Sequence, residues 1–224
     1  MRVLRYAVAV ALACAALMLT QMAGTALAAP GAVMTRAQAL SAMAQPDAAQ
    51  RLAGVQRLAR IGLMADAERL LDRLADTDDD VREAAQAAAW QIWSRSGDTA
   101  IDRLFAQGVA QLEASAWAAA LATFDSIVRL KPAFAEGWNK RATVYFLLDE
   151  HDKSLKDCDE VFKRNPRHFG ALSGAGQIHL QRGDLRRALG FFRRALEVNP
   201  NLEGPAQMVP LIEQRLREGE RNAV

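Results

Sequence analysis

The chain reads as an all-α protein, a helical-repeat solenoid of stacked antiparallel helix pairs, on three observations. Pro132, Pro166 and Pro200 stand 34 residues apart. Small and aromatic residues recur at matching offsets before each proline, as a stack requires, because each unit must present the same face to its neighbour. Ala, Leu, Arg, Gln and Glu dominate, with few β-branched runs, which favours helix over strand.

Residues 1–28 have the form of an export signal of bacterial type. Arg2 and Arg5 precede an apolar run over 6–19, and Ala26-Leu27-Ala28 offers the small-x-small pattern that signal peptidase reads. The run falls short of the roughly 20 residues of a permanent span. Cleavage before Ala29 is therefore expected, with a periplasmic or secreted destination and no stable membrane span afterwards. The competing reading is lipidation of Cys14, for which Ala11-Leu12-Ala13 is a poor lipobox, its leucine one place too close to the cysteine.

Cleavage would remove two arginines and leave as many basic as acidic residues, so the balance carries no nucleic-acid footprint. Of two cysteines only Cys158 would remain, and with no internal disulfide the stability must come from packing.

Residues 29–46 form a linker or lead-in helix. In 47–96, Arg51, Leu58 and Ile61 recur 31 places on as Arg82, Ala89 and Ile92, and Asp78-Asp79-Asp80-Val81-Arg82 has the form of a turn and helix start. This segment resembles HEAT-like repeats; a plain helical lead-in is the alternative. Either way it is expected to stack on the first downstream unit, across a boundary at Ser94 to Thr99.

Three units follow, 101–134, 135–168 and 169–202. The first supplies Leu104, Gly108, Ala120, Phe124 and Pro132; the second Trp138, Ala142, Tyr145 and Pro166; the third Leu172, Gly176, Ala188, Phe192, Ala195 and Pro200. Gly108, Ala142 and Gly176 are expected to face Ala120, Ser154 and Ala188 where paired helices cross, and each proline ends a second helix. Ser154 and Cys158 replace alanine and phenylalanine, which makes the middle unit the most loosely packed. Residues 203–218 read as a capping helix with Leu211, Ile212 and Leu216 on its apolar side, and Pro205 and Pro210 limiting its start. Residues 219–224 form a tail.

By these residues and this spacing the chain resembles the tetratricopeptide repeat family. The resemblance implies a concave groove, lined by the first helix of each unit, that holds a protein or peptide partner. Carried over by position, the groove comprises Asp102, Phe105 and Val109, then Glu136, Asn139, Lys140 and Thr143, then Ser173, Gln177 and Gln181, with Phe105 as an apolar entrance. The family's lysine and asparagine clamp for a C-terminal carboxylate is not matched, because Phe105 and Val109 stand in its first positions.

No catalytic set stands out, and neither a cofactor nor a metal is expected. His151, His168 and His179 are scattered, with His179 reading as a core histidine. The run from Asp76 to Asp80 lacks the spacing of a calcium loop and reads as an exposed helix start. Cys158 aligns with Phe124 and Phe192 and reads as a buried thiol, and Gly174-Ala175-Gly176 is assigned a packing role. The sequence therefore suggests an exported adaptor or assembly scaffold. The alternative is a homo-oligomer or a non-catalytic accessory subunit of an envelope enzyme, with an acidic partner on the arginine-rich third unit.

Overall fold

The computed structural model describes residues 33–221, and the export and lipidation expectations on residues 1–28 lie outside them. From Arg36 the chain packs as one unit, and the described elements are all helical.

Among the described residues four α-helices precede the repeats: α1 (Arg36–Ala42), α2 (Ala48–Ile61), the short α3 (Ala67–Leu71) and α4 (Asp79–Trp93). Asp47 and Asp78 cap α2 and α4, accepting the Gln50 and Val81 amides at 2.9 and 3.1 Å. The helices α1 and α2 cross at Gly54, where a Cβ would lie 2.6 Å from the Ala39 carbonyl oxygen.

Asp76 departs from the expected exposed helix start. It is buried and takes a two-bond ion pair from Arg51 at 2.9 and 2.6 Å, while Arg82 donates to its carbonyl at 2.8 Å. The two arginines of the 31-residue echo thus converge on one residue. Asp79 and Asp80 remain exposed, and among the described residues no His, Cys, Asp and Glu side chains cluster as metal ligands.

Asp98 starts the first pair, capping α5 through the Ala100 and Ile101 amides at 2.8 and 3.3 Å. The pairs are α5 (Thr99–Glu113) with α6 (Trp117–Leu130), α7 (Ala135–Leu147) with α8 (His151–Arg164), and α9 (Phe169–Gln181) with α10 (Leu185–Val198). The final helix, α11 (Glu203–Arg221), packs on α10.

Each first helix ends on a left-handed residue, Ser115, Asp149 or Gly183, again 34 apart. In each case the next amide reaches back to a carbonyl of the last turn, Gln111, Tyr145 or His179, at 2.8, 2.8 and 2.9 Å, closing a Schellman motif. The second helices are C-capped by Lys131, Asn165 and Asn199, each the residue before a proline.

The packing partners of the glycines differ from expectation. A Cβ on Gly108 would lie 2.8 Å from the Phe124 ring, and one on Gly176 2.7 Å from Phe192. The ring of the second helix, rather than Ala120 or Ala188, is therefore what demands glycine on the first. In the middle unit the Ser154 hydroxyl donates to the Ala142 carbonyl at 2.8 Å.

The α11 helix also departs from its reading. It begins at Glu203 with Pro205 in its first turn, where no helical amide bond is lost, and runs on through Pro210. Ile212 is buried beside Phe192, but Leu211 is 56% exposed and belongs to the outer side.

Candidate functional site

The successive first helices α7 and α9, with α11 as the next in line, enclose a cavity of about 350 Å³. Its origin is a missing ring. Phe124 and Phe192 fill the pairs where they occur, but Cys158 occupies the matching place in the middle unit, beside Ala142 and Ala175. The cavity opens there, against Phe146, Ile178, Phe192, Pro205 and Met208. Cys158 is buried, and burial together with Asp157 and Asp159 pushes its thiol up to about 12, so it stays protonated at neutral pH.

Four of the expected groove residues, Asn139, Thr143, Ser173 and Gln177, line this cavity. Thr143 satisfies its hydroxyl on the Asn139 carbonyl at 3.0 Å. The Ser173 hydroxyl oxygen is buried and finds no hydrogen-bond partner among the described residues.

The other six lie elsewhere. Phe105 is buried with Ile101, Phe124 and Phe134, its ring 5.4 Å from that of Phe134, so it is core and cannot serve as an exposed entrance. The helix register explains this: Ile101, Phe105 and Gly108 form the face turned into the pair. Val109 packs at the edge of the same cluster. Asp102 accepts the Ser96 amide at 2.7 Å and secures the inter-segment turn. Gln181 is exposed, outside the cavity wall.

Glu136 and Lys140 are covered by the chain's own N-terminal helices. These helices do not seat chiefly on the first unit, as expected, but on the loops that open the third unit and follow it. Trp93 stacks on His168 at 4.5 Å, and a Cβ on Gly170 would meet Trp90 at 2.4 Å. Asn201 donates to the Leu74 carbonyl at 2.7 Å, and Asn199 bonds Gln86 at 2.5 Å.

Beneath the tryptophans His168 and Glu136 are fully buried, with Nε2 and Oε2 2.8 Å apart. His168 Nδ1 accepts the Ala171 amide at 3.0 Å, so the ring carries its proton on Nε2 and donates it to the carboxylate. Burial pushes the Glu136 carboxyl up, but the His168 bond, Lys140 at 3.5 Å and the Asn139 amide at 3.0 Å outweigh it and hold the group below the ordinary range. Lys140 also lies over the Trp90 ring.

His179 is a core histidine stacked on Phe191 at 5.4 Å, with burial holding its pKa down against Asp184. Arg167, just before the third unit, pairs with Glu68, and within that unit Arg182 pairs with Asp152, Arg186 with Glu220 and Arg193 with Glu213, while Arg194 lies over Phe162 and Phe191. The outer face is thus laced by pairs instead of presenting bare positive charge.

A family model, described as tetratricopeptide repeat, matches residues 169–202, the bounds of the third unit. The chain thus carries a tetratricopeptide repeat over those residues. A TPR repeat-containing protein of Rhizobium etli is 34% identical over 124 residues, 55% of this chain and 61% of that one, so the chain spans less than two thirds of this relative. Subunit 3 of the anaphase-promoting complex of Schizosaccharomyces pombe is 26% identical over 44% of this chain and 15% of its own length. Among solved structures the Sgt2 TPR domain from Aspergillus fumigatus superposes with a TM-score of 0.52 at 19% identity, covering 57% of this chain and 85% of that one. The first TPR of Spaghetti (RPAP3), bound to the HSP90 peptide SRMEEVD, gives 0.50 at 21% identity, covering 52% and 93%. These likenesses establish stacked helix pairs of the tetratricopeptide type.

Proposed function

We propose that the protein is an exported adaptor or assembly scaffold whose first-helix face, over the second and third units, binds a peptide or helical segment of a protein partner. The observation that carries this reading is the cavity on that face, bounded by Asn139, Thr143, Ser173 and Gln177. The RPAP3 domain with its HSP90 peptide gives a precedent for peptide capture by the same architecture. That peptide is acidic. No charged side chain bounds the cavity here, so a different class of ligand is favoured.

On this reading the first two helix pairs are tetratricopeptide units like the third, and residues 47–96 are a HEAT-like brace that reaches Lys140 and Gly170 and leaves the cavity on α7 and α9 open. Export rests on the leader-like residues 1–28. Intact mass of protein recovered from the periplasm should correspond to a chain beginning at Ala29; a diacylglycerol adduct on Cys14 or the full 224 residues would refute the cleavage site.

The binding reading is tested by using the chain from Ala29 as bait in periplasmic extract, with mass spectrometry of captured proteins and calorimetry of the partner found. Thr143→Ala with Gln177→Ala should weaken that partner by about 1–3 kcal/mol, as loss of central contacts does, at an unchanged melting temperature. Arg186→Glu with Arg187→Glu should matter little. If the arginine pair abolishes binding while the face variants bind normally, the outer surface is the site. Capture of only the chain itself would point to the homo-oligomer.

A further inference from the structure

We infer that the cavity between the second and third units is a receptor for one large, uncharged, apolar side chain of a bound peptide whose backbone runs directly over Gly174. The inference rests on the first-helix face being the peptide-binding surface, and it supplies the chemistry of the ligand.

Three separate observations converge on it. The cavity wall combines apolar groups, among them Phe146, Ile178, Phe192 and Met208, with neutral polar ones and carries no charged side chain. An ionised side chain entering it would lose its hydration without gaining a counter-charge. A volume of about 350 Å³ lies at the lower end of small-molecule sites and exceeds the roughly 150 Å³ that takes a benzene ring, so one large side chain enters with room to spare for the backbone that carries it.

The second observation is a glycine that packing does not explain. Gly174 lies inside α9, where glycine weakens a helix relative to alanine. Yet a Cβ there would meet nothing within 4 Å, whereas one on Gly108, Gly137 or Gly176 would strike Phe124, Ile127 or Phe192 at under 3 Å. The packing role expected of the Gly174-Ala175-Gly176 stretch thus belongs to Gly176 alone. Gly174 is exposed at the wall of the cavity, and absence of a side chain there lets another backbone approach closely.

The third is the neighbouring Ser173, whose buried hydroxyl, at that same wall, lacks a partner among the described residues. Buried polar groups are rarely left unpaired. Once the Ser173 side chain turns toward the cavity, a peptide group lying across Gly174 would supply the missing hydrogen bond while its own side chain descends into the cavity.

The test uses the chain from Ala29 and an array of short peptides of Ser, Gln and Asn, each with one central residue varied among Leu, Phe, Met, Ala, Glu and Lys. Peptides with central Leu, Phe or Met should bind at least about tenfold more tightly than those with Ala, Glu or Lys, a difference of the size that a buried anchor gives. Their binding should slow amide exchange on α7 and α9. Gly174→Trp, whose ring would roof the cavity from open space, should abolish binding with no fall in melting temperature, and Gln177→Trp provides a second block should the first variant fold poorly. Gly174→Ala should weaken binding, though less than the tryptophan change, because its methyl would hold the peptide backbone off α9.

Protection of α7 and α9 without preference for a large apolar centre, or binding that survives both tryptophan variants, would overturn the receptor while leaving the peptide-binding face standing. If no peptide on the array protects those helices, both readings fall. Preference for central Glu or Lys would overturn the uncharged specificity.

Discussion

The first and second helix pairs share a backbone plan and differ in one ring. In the first, Phe124 presses on Gly108 and meets Phe105, and the interior is filled. In the second, Cys158 stands in place of the phenylalanine, with Ala142 opposite, and a cavity opens to the first-helix face. A repeat architecture therefore tolerates the loss of a core ring if its neighbours keep theirs, and the space released becomes available for a ligand. Arg141 compensates for part of the lost packing. It bridges Asp125 of the first pair and Asp157 of the second at 2.7 Å, and lies over the Trp138 ring.

The strongest challenge to this comparison is to truncate both positions. Phe124→Ala should destabilise the chain by about 3–5 kcal/mol, the usual cost of emptying a buried ring site. Cys158→Ala should cost far less, because its neighbours already border space, and Cys158→Ser about 1–3 kcal/mol through its buried hydroxyl. Denaturant titration of the three variants measures the differences. Equal losses at 124 and 158 would mean that the middle pair is as tightly packed as the first.

A smaller effect separates the N-terminal helices from the repeats in acid. Hydrogen bonds from Arg51 and Arg36 hold the Asp76 and Asp66 carboxyls below their ordinary range, and Glu136 is held low beneath the tryptophans. Carboxyls lowered in the folded state add stability that is complete above their unfolded values, 3.8 for aspartate and 4.5 for glutamate, and that is lost as pH falls through the folded values. Arg36 is 42% exposed, so its pair counts for less than the buried Arg51 pair. Asp157 has the opposite sign: burial raises it against Arg141, and acid does not weaken it in the same way. Stability should hold from about pH 7 to 5 and then fall below about pH 4, with Trp90 and Trp93 changing their fluorescence before the repeats lose helicity. Simultaneous loss of both signals would show that brace and repeats unfold together.

The sequence made the repeat period, the helix pairs and the buried thiol legible because each follows from local chemistry: a proline that stops a helix, a glycine that admits a ring, an aligned position. Two features were not legible in this way. Phe105 stands three residues after Asp102, about 60° from it around the helix, and only the neighbouring Ile101 and Gly108 settle that it turns inward. The seat of the N-terminal helices depends on contacts such as Gln86 to Asn199 and Leu74 to Asn201, more than a hundred positions apart, to which no local pattern points. The 34-residue recurrence at 115, 149 and 183 was present in the sequence, but Ser and Asp disguised a turn that glycine marks only in the third unit.

The smallest effect bears on whether Gly174 is kept for the fold or for a ligand. Its position inside α9 has helical geometry and open space where a Cβ would go. Gly174→Ala should therefore stabilise the chain by up to about 1 kcal/mol, the helix-propensity difference between the two residues, measurable as a higher denaturation midpoint at unchanged slope. The matching change Gly176→Ala should destabilise it, because the new methyl would meet the Phe192 ring at 2.7 Å. Opposite signs two residues apart on one helix would separate a glycine that packing requires from one that it does not. If Gly174→Ala also destabilised the chain, packing would explain both glycines, and the close approach of a peptide over α9 would lose its main support.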